Sequence, residues 1–453
     1  MKHFDRPEAY TFDDGTQWLI GLFALFIAFP LLNVPIIGVS LTFPLFIWIC
    51  FRVKTRMRQP LFVVRTLMDK LLLVFILMAL VSLLFAPEAD RGGSLLIKDI
   101  MGAAYLVYWG GVYLFFRRWY PYINMHKLSF YALTGVLLTT TVILLGERSR
   151  GGDGDFFIFG PLDISQNTFA FNTVACIGLA SIYLMKKYSR YMVFAFALFM
   201  LFPMFESDSR SGIIIMLLQA VCISAISVFE KHRRLKQILV VALGVSLFVI
   251  LIPGVEMDFK RVGIRVGQWL EPYSPEVALL LQETESMLQR DKSWLVRKTQ
   301  VDKGIDLFSK YPITGVGWGH FKYVRADINI RQYKYLSRAY DDYALTRSSH
   351  NSYIQILAET GVLGFVPFVL IQFYVICQAF KVFLRSESLV DILPLAVALL
   401  GVAIYFWTIS AITGALWYFI LGLFSGALAN QRKKNSINKV ENDAAGILLP
   451  YPR

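Results

Sequence analysis

The chain has 453 residues, of which 56% are hydrophobic and 17% charged, with 37 Phe and a mean hydropathy of +0.54. A soluble chain carries about 25% charged residues, so the composition excludes an ordinary soluble domain. The formal net charge of +13 does not mark a nucleic-acid binder either, because the basic residues sit in short breaks between apolar runs.

Those runs predict an all-α polytopic membrane protein. A β-barrel would need period-2 alternation in segments of about ten residues, and the chain has none. The four cysteines (Cys50, Cys176, Cys222, Cys377) all fall inside apolar runs and read as small core residues. The first sixteen residues are polar, and the apolar stretch after them lacks a small-residue cleavage site, so the first helix is expected to stay in the membrane.

In chain order, twelve spans are predicted: about 17–32, 35–51, 70–86, 99–116, 128–145, 165–185, 191–204, 212–229, 236–253, 353–380, 389–408 and 411–429. Asn33-Val34-Pro35 makes a tight turn between the first two. The 191–204 segment is short enough to be broken or tilted. If the N-terminus is cytoplasmic, the inside segments hold 25 Lys and Arg and the short outside loops hold 5. Long loops count little in this rule, so the asymmetry places both termini inside and the 99-residue loop 254–352 outside. The expected units are helices one to nine in 1–253, the outer loop in 254–352, helices ten to twelve in 353–430, and a disordered cytoplasmic tail in 431–453.

The loop is too long to be a connector. Apolar residues recur at helical spacing in 275–289 and 293–310 (Leu295, Val301, Ile305 and Phe308 in the second), and Pro312 ends the second helix. PITGVGWGHF follows, and its alternating Gly315, Gly317 and Gly319 read as a tight backbone turn, not a dinucleotide fingerprint.

Residues able to carry chemistry gather on the predicted outer side. Of five histidines, only His320 and His350 lie there. His350 opens the tenth span, where a half-solvated imidazole suits a general base; its alternative is an interfacial anchor. Arg210, in SDSRSG ahead of a helix starting at Gly212, is a candidate anion site together with the helix amides. Arg297 lies in the 293–310 helix, and Arg261 and Arg265 follow the ninth span. Headgroup contact is the simpler reading for Arg297, Arg261 and Arg265 each taken alone, whereas Arg210, the one basic residue in its short outside loop, opposes the positive-inside trend and points to function. Glu359 sits two turns into a span, where an acid needs a partner and either holds structure or orients a site. The sequence offers no HxxxH, HExxH or CxxC and no outer cluster of carboxylates, so no metal and no cofactor is expected.

HNSYIQILAETGVLGF at His350–Phe365 resembles the HN…L…E.G..G signature of the bacterial O-antigen ligase and O-antigen polymerase superfamily. PITGVGWGHF resembles its PxxGxGxGxF turn, SRSG at Ser209–Gly212 its arginine-bearing helix start, and GPLDISQNTFA at Gly160–Ala170 its polar helix entry with Asn167, Ser165 or Gln166 replacing one usual Asn. Arg297 stands where the family places a loop arginine. The resemblance implies a GT-C-like fold of twelve spans in the bacterial inner membrane with a periplasmic helical loop. It also implies metal-independent, inverting glycosyl transfer from a glycan on undecaprenyl diphosphate to a sugar hydroxyl of lipid A–core or of a growing polymer. Membrane lipids surround both substrates. His350 is the expected base, and Arg210 and Arg297 are expected to hold the diphosphate. Asn351 would fix the imidazole or hold a sugar hydroxyl, with Glu359, Asn167 and Arg265 as further candidates. The ligase is favoured over the polymerase, and a protein hydroxyl is a third acceptor. A flippase for lipid-linked sugars would place polar residues near mid-membrane in repeated halves, and a scaffold would leave the outer arginines unexplained.

Overall fold

The structure, a computed structural model, describes residues 11–29, 41–87, 94–145, 147–148, 155–159, 162–189, 191–206, 210–228, 292–328, 349–384, 392–407 and 415–447. Twelve α-helices are described: α1 (Asp14–Ala28), α2 (Thr42–Met57), α3 (Leu67–Leu84), α4 (Ser94–Trp119), α5 (Met125–Leu145), α6 (Gln166–Lys187), α7 (Tyr191–Glu206), α8 (Arg210–Val228), α9 (Lys292–Lys310), α10 (Ser352–Leu384), α11 (Ile392–Tyr405) and α12 (Ala415–Ile447). Five are long and apolar enough to cross a membrane, and α1, α7, α8 and α11 contain shorter apolar helices. The protein is an all-α, multi-pass membrane protein.

Eleven of the predicted spans coincide with described helices; the span 236–253, the Asn33-Val34-Pro35 turn and the loop helix 275–289 lie outside the described residues. The second helix, described from Thr42, continues to Met57, six residues past the expected end at 51, and carries Arg52, Lys54 and Arg56 inside it. Its basic end is held in helix by ion pairs from Arg52 and Arg56 to Asp13, at 2.9 and 2.6 Å. The 191–204 segment is one unbroken helix with Pro203 in its last turn. The expected disorder after Gln431 is also corrected, since α12 continues to Ile447. A buried helix already formed at Leu416–Phe424 supplies the nucleus that an isolated polar segment lacks. A three-stranded antiparallel sheet not foreseen in the sequence (β1 Glu147–Arg148, β2 Asp155–Phe159, β3 Leu162–Ser165) joins α5 to α6.

Small residues set the closest helix approaches, as expected where lipid provides no hydrophobic drive. Gly178 of α6 lies against the Pro394 carbonyl of α11, and Gly422 of α12 against the Tyr113 backbone of α4. Gln219 of α8 donates to the carbonyls of Val174 in α6 (3.0 Å) and Val397 in α11 (3.2 Å), which ties three helices at mid-length. All four cysteines are free.

The two ends of the bundle are distinct. At one end, Asp69 is fully buried and caps α3 in a reciprocal box with Thr66. Its carboxylate accepts from the amides of Arg65 and Thr66 (both 2.8 Å) and from Tyr113 Oη (2.8 Å), and it pairs with Arg117 of α4 at 2.7 Å. Arg117 also donates to the Val63 carbonyl (2.9 Å) and Trp119 Nε1 to the Leu61 carbonyl (3.2 Å), so the 58–66 segment is strapped to α4. The opposite end carries His350.

Candidate functional site

The two motifs of the outer loop and the tenth span are joined backbone to backbone. α10 breaks at Gly361, whose φ of 58° and ψ of −162° are non-helical. A break in a helix strands carbonyls before it and amides after it. Here the loop satisfies both. Val316 N donates to Ala358 O (2.9 Å) and Gly317 N to Glu359 O (2.9 Å), while Val362 N donates to Pro312 O (2.9 Å) and Leu363 N to Ile313 O (3.3 Å). Gly315, Gly317 and Gly319 all have positive φ, the tight turn expected from their spacing. A Cβ on Gly315 would collide with the Glu359 backbone, and one on Gly361 with the Ile313 carbonyl.

Glu359 is 1% exposed. Its Oε1 accepts from Phe321 N (3.2 Å) and Gln355 Nε2 (2.9 Å), so its described bonds fasten the turn to α10. The same turn reaches α3 and α4. Trp318 N donates to Ser82 Oγ (3.1 Å), the Trp318 ring meets Phe75 edge-on at 5.8 Å, and His320 Nε2 lies 2.6 Å from Asp99 Oδ1.

His350 precedes the helix and is one of two non-glycine residues with positive φ among the described residues, at 50°. Such a backbone costs about 1–3 kcal/mol and persists only where neighbours impose it. They do so here. Asn351 Oδ1 accepts from Tyr353 N (3.0 Å) and Ile354 N (3.1 Å), capping α10. Ser349 Oγ accepts from Asn351 N (3.1 Å), and Ser352 N donates to the Phe406 carbonyl at the end of α11 (2.7 Å). Asn351, expected to fix the imidazole or hold a sugar hydroxyl, thus spends its Oδ1 on the cap. His350 is half-buried.

α9 runs alongside α10 in the same direction. Gly304 abuts Ile354, and one turn on Leu307 shares a core cluster with Ala358, Val316 and Phe321. Stepping back along α9 therefore carries Gln300 and then Arg297 toward the end of α10 that bears His350. Arg297 is exposed. The inward face of α9 is not the apolar one expected: Ile305 is 52% exposed, whereas Thr299, Gln300 and Lys303 are buried. Both polar atoms of the Gln300 amide are buried without a hydrogen-bond partner among the described residues. Burial pushes the Lys303 ammonium down to about 8, and its Nζ lies 5.0 Å from the Phe321 ring centroid.

Two of the remaining candidates, Asn167 and Arg210, begin helices at the same end of the bundle. Phe171 of α6 packs on Tyr405 and Phe406 at the end of α11, which meets the start of α10. Asn167, one turn before Phe171, therefore begins α6 at the His350 end. α7 returns the chain, and α8 starts again from that end with Arg210, two residues earlier than expected. The side chains of Asn167 and Arg210, and all of Arg265, lie outside the described residues. Among the described residues, no group of three His, Cys, Asp or Glu side chains could hold a metal ion.

Residues 165–369 match the family model described as O-antigen ligase. The likeness covers 205 of the 453 residues. Every candidate named above, from Asn167 through Arg210, Arg265, Arg297, His350 and Asn351 to Glu359, lies inside it. No curated protein matches the chain. The match supports a glycosyltransferase-like role for this membrane protein. Sequence reasoning did not foresee the burial of Gln300 and Lys303, which a polar stripe along a loop helix would have flagged, or the pairing of His320 with Asp99, which nothing local announces.

Proposed function

We propose that the protein is an inverting, metal-independent glycosyltransferase that moves a glycan from undecaprenyl diphosphate to a sugar hydroxyl, lipid A–core in the ligase reading. The observation that carries the proposal is the register of α9 along α10, which brings Arg297 toward the strained His350 within the segment matched to the O-antigen ligase family. In this reading the bundle is a twelve-span GT-C-like fold in the inner membrane, with both termini cytoplasmic and the His350 end periplasmic. The fifteen Lys and Arg against twelve Asp and Glu in 254–352 suit a loop that handles an anionic donor.

His350 takes the acceptor's hydroxyl proton as that oxygen bonds to the anomeric carbon. The old C–O bond breaks with its electrons leaving on the diphosphate, whose charge Arg210 and Arg297 receive through forked hydrogen bonds. A polymerase of the same superfamily differs only in its acceptor, a growing glycan. A flippase would need polar groups along the bundle; among the described residues Gln219 lies at mid-length, but its Nε2 is spent on backbone carbonyls.

The test is turnover of purified protein with lipid-linked glycan and a panel of acceptors. His350→Ala and Arg210→Ala should each lower turnover by at least a hundredfold, and EDTA should leave the wild type active. Wild-type rates in both variants would sink the catalytic assignment, and activity lost to EDTA and restored by Mg²⁺ would sink the metal-free one.

A further inference from the structure

At the end of α10 remote from His350, a cavity of about 200 Å³ opens between α10 and α12. Lys381 and Arg432 stand at it, with the amides of Gln378, Gln431 and Asn435 around them, and no acid is among its lining residues. Arg432 is held in place, because its Nη2 donates to Oε1 of Gln378 at 2.7 Å, and Gln378 is 6% exposed. The cavity therefore presents a guanidinium, an ammonium and up to three amides to a ligand, a donor-rich set suited to phosphate oxygens.

Its other wall is apolar. Val382 and Leu428 line it, and the stripe of α10 that carries Lys381 continues through Phe373 and Leu370, 58% and 44% exposed. Residues eight and eleven apart share a helix face, so a chain attached to the bound phosphate has an open apolar track along the helix. Lys381 follows His350 by 31 residues, roughly 45 Å at helical rise, which separates this cavity from the glycan-transfer site.

We propose that the cavity binds the phosphate of an anionic phospholipid, with the acyl chain lying along the Leu370–Phe373 stripe and the headgroup joining α12 to α10. Basic pockets between membrane helices recognise headgroups in this way.

The full-length protein, delipidated in detergent, is titrated with phosphatidylglycerol and with phosphatidylcholine of the same acyl chains, and binding is read by native mass spectrometry. Phosphatidylglycerol should bind on the order of tenfold more tightly than phosphatidylcholine, and Lys381→Gln with Arg432→Gln should abolish that preference. Lys433→Gln with Lys434→Gln removes the same charge from neighbouring exposed positions and should preserve it. Equal binding of the two lipids, an unaffected double variant, or an equal loss in the neighbouring pair overturns the site. Inorganic phosphate at matched concentration should not reproduce the thermal stabilisation given by phosphatidylglycerol; if it does, the lipid is not the ligand. Should the double variant fail to fold, Lys381→Gln alone must still weaken phosphatidylglycerol binding severalfold.

Discussion

At the Arg117 end of the bundle, the contacts gather on one buried carboxylate; at the His350 end, a set of main-chain hydrogen bonds joins the loop to the broken α10. Asp69 gathers two amides, a tyrosine hydroxyl and a guanidinium around one buried carboxylate. The turn at 312–324 instead exchanges four main-chain hydrogen bonds with the broken α10, adds the carboxylate of Glu359, and meets α3 and α4 through Ser82 and Asp99. A scaffold built from charged side chains fixes the identity of those side chains. One built from backbone needs glycine where strands of chain come close, and leaves the surrounding side chains available for selection by chemistry. The difference fits the proposal that His350 and Arg297 answer to a substrate and not to a core.

The two ends should therefore fail in different ways. The largest effect is expected from Gly315→Ala. The new Cβ has positive φ to tolerate and the Glu359 backbone to displace, and strain and overpacking together amount to roughly 2–6 kcal/mol. Because the turn sets the position of α9 against α10, turnover per folded molecule should fall along with the melting temperature. Unchanged turnover in the surviving folded fraction would show that the lock does not position the site.

Asp69→Ala should come next, at roughly 3–5 kcal/mol, because it leaves the Arg117 guanidinium buried without its carboxylate. Here stability and activity should separate, with a lower melting temperature but normal turnover in protein that stays folded. A loss of turnover as large as that of Gly315→Ala would mean that the two ends are coupled through α3 and α4.

The same contrast explains what the sequence could disclose. Apolar runs announced the helices, Pro312 announced the end of α9, and three alternating glycines announced a turn. That the turn docks on Gly361 was hidden, because the two motifs are over forty residues apart and no periodicity links them. Asp69 was hidden by one position: with the span drawn from residue 70, a buried cap looked like loop, although Thr66-x-x-Asp69 is a capping box in plain view. The tail after Gln431 looked disordered because its polarity was judged without the buried helix that precedes it. For the candidate site, the motif at His350–Phe365 stood out in the sequence, whereas the polar inner face of α9 did not, since Val301, Ile305 and Phe308 drew attention to the other side.

Lys303 gives the finest test, because it sets a second buried charge against Asp69. Asp69 is surrounded by donors; for Lys303, burial dominates and lowers its pKa from 10.5 to about 8, a shift of about 3 kcal/mol at most. Below pH 8 the lysine is protonated in both folded and unfolded chains, so the full penalty for burying charge is present. Between about pH 8 and 10.5 the unfolded chain binds more protons than the folded one, and stability gains as pH rises. Above that window the penalty is gone. Lys303→Met should therefore raise the melting temperature at pH 7, and its advantage over the wild type should shrink as pH climbs toward 10. Thermal unfolding of both proteins across that range, compared as a difference so that other alkaline titrations cancel, measures the effect. A variant less stable at pH 7, with a gap that does not change with pH, would mean that the ammonium is matched by partners as fully as Asp69 is. In that case both ends of the bundle would rest on satisfied charge.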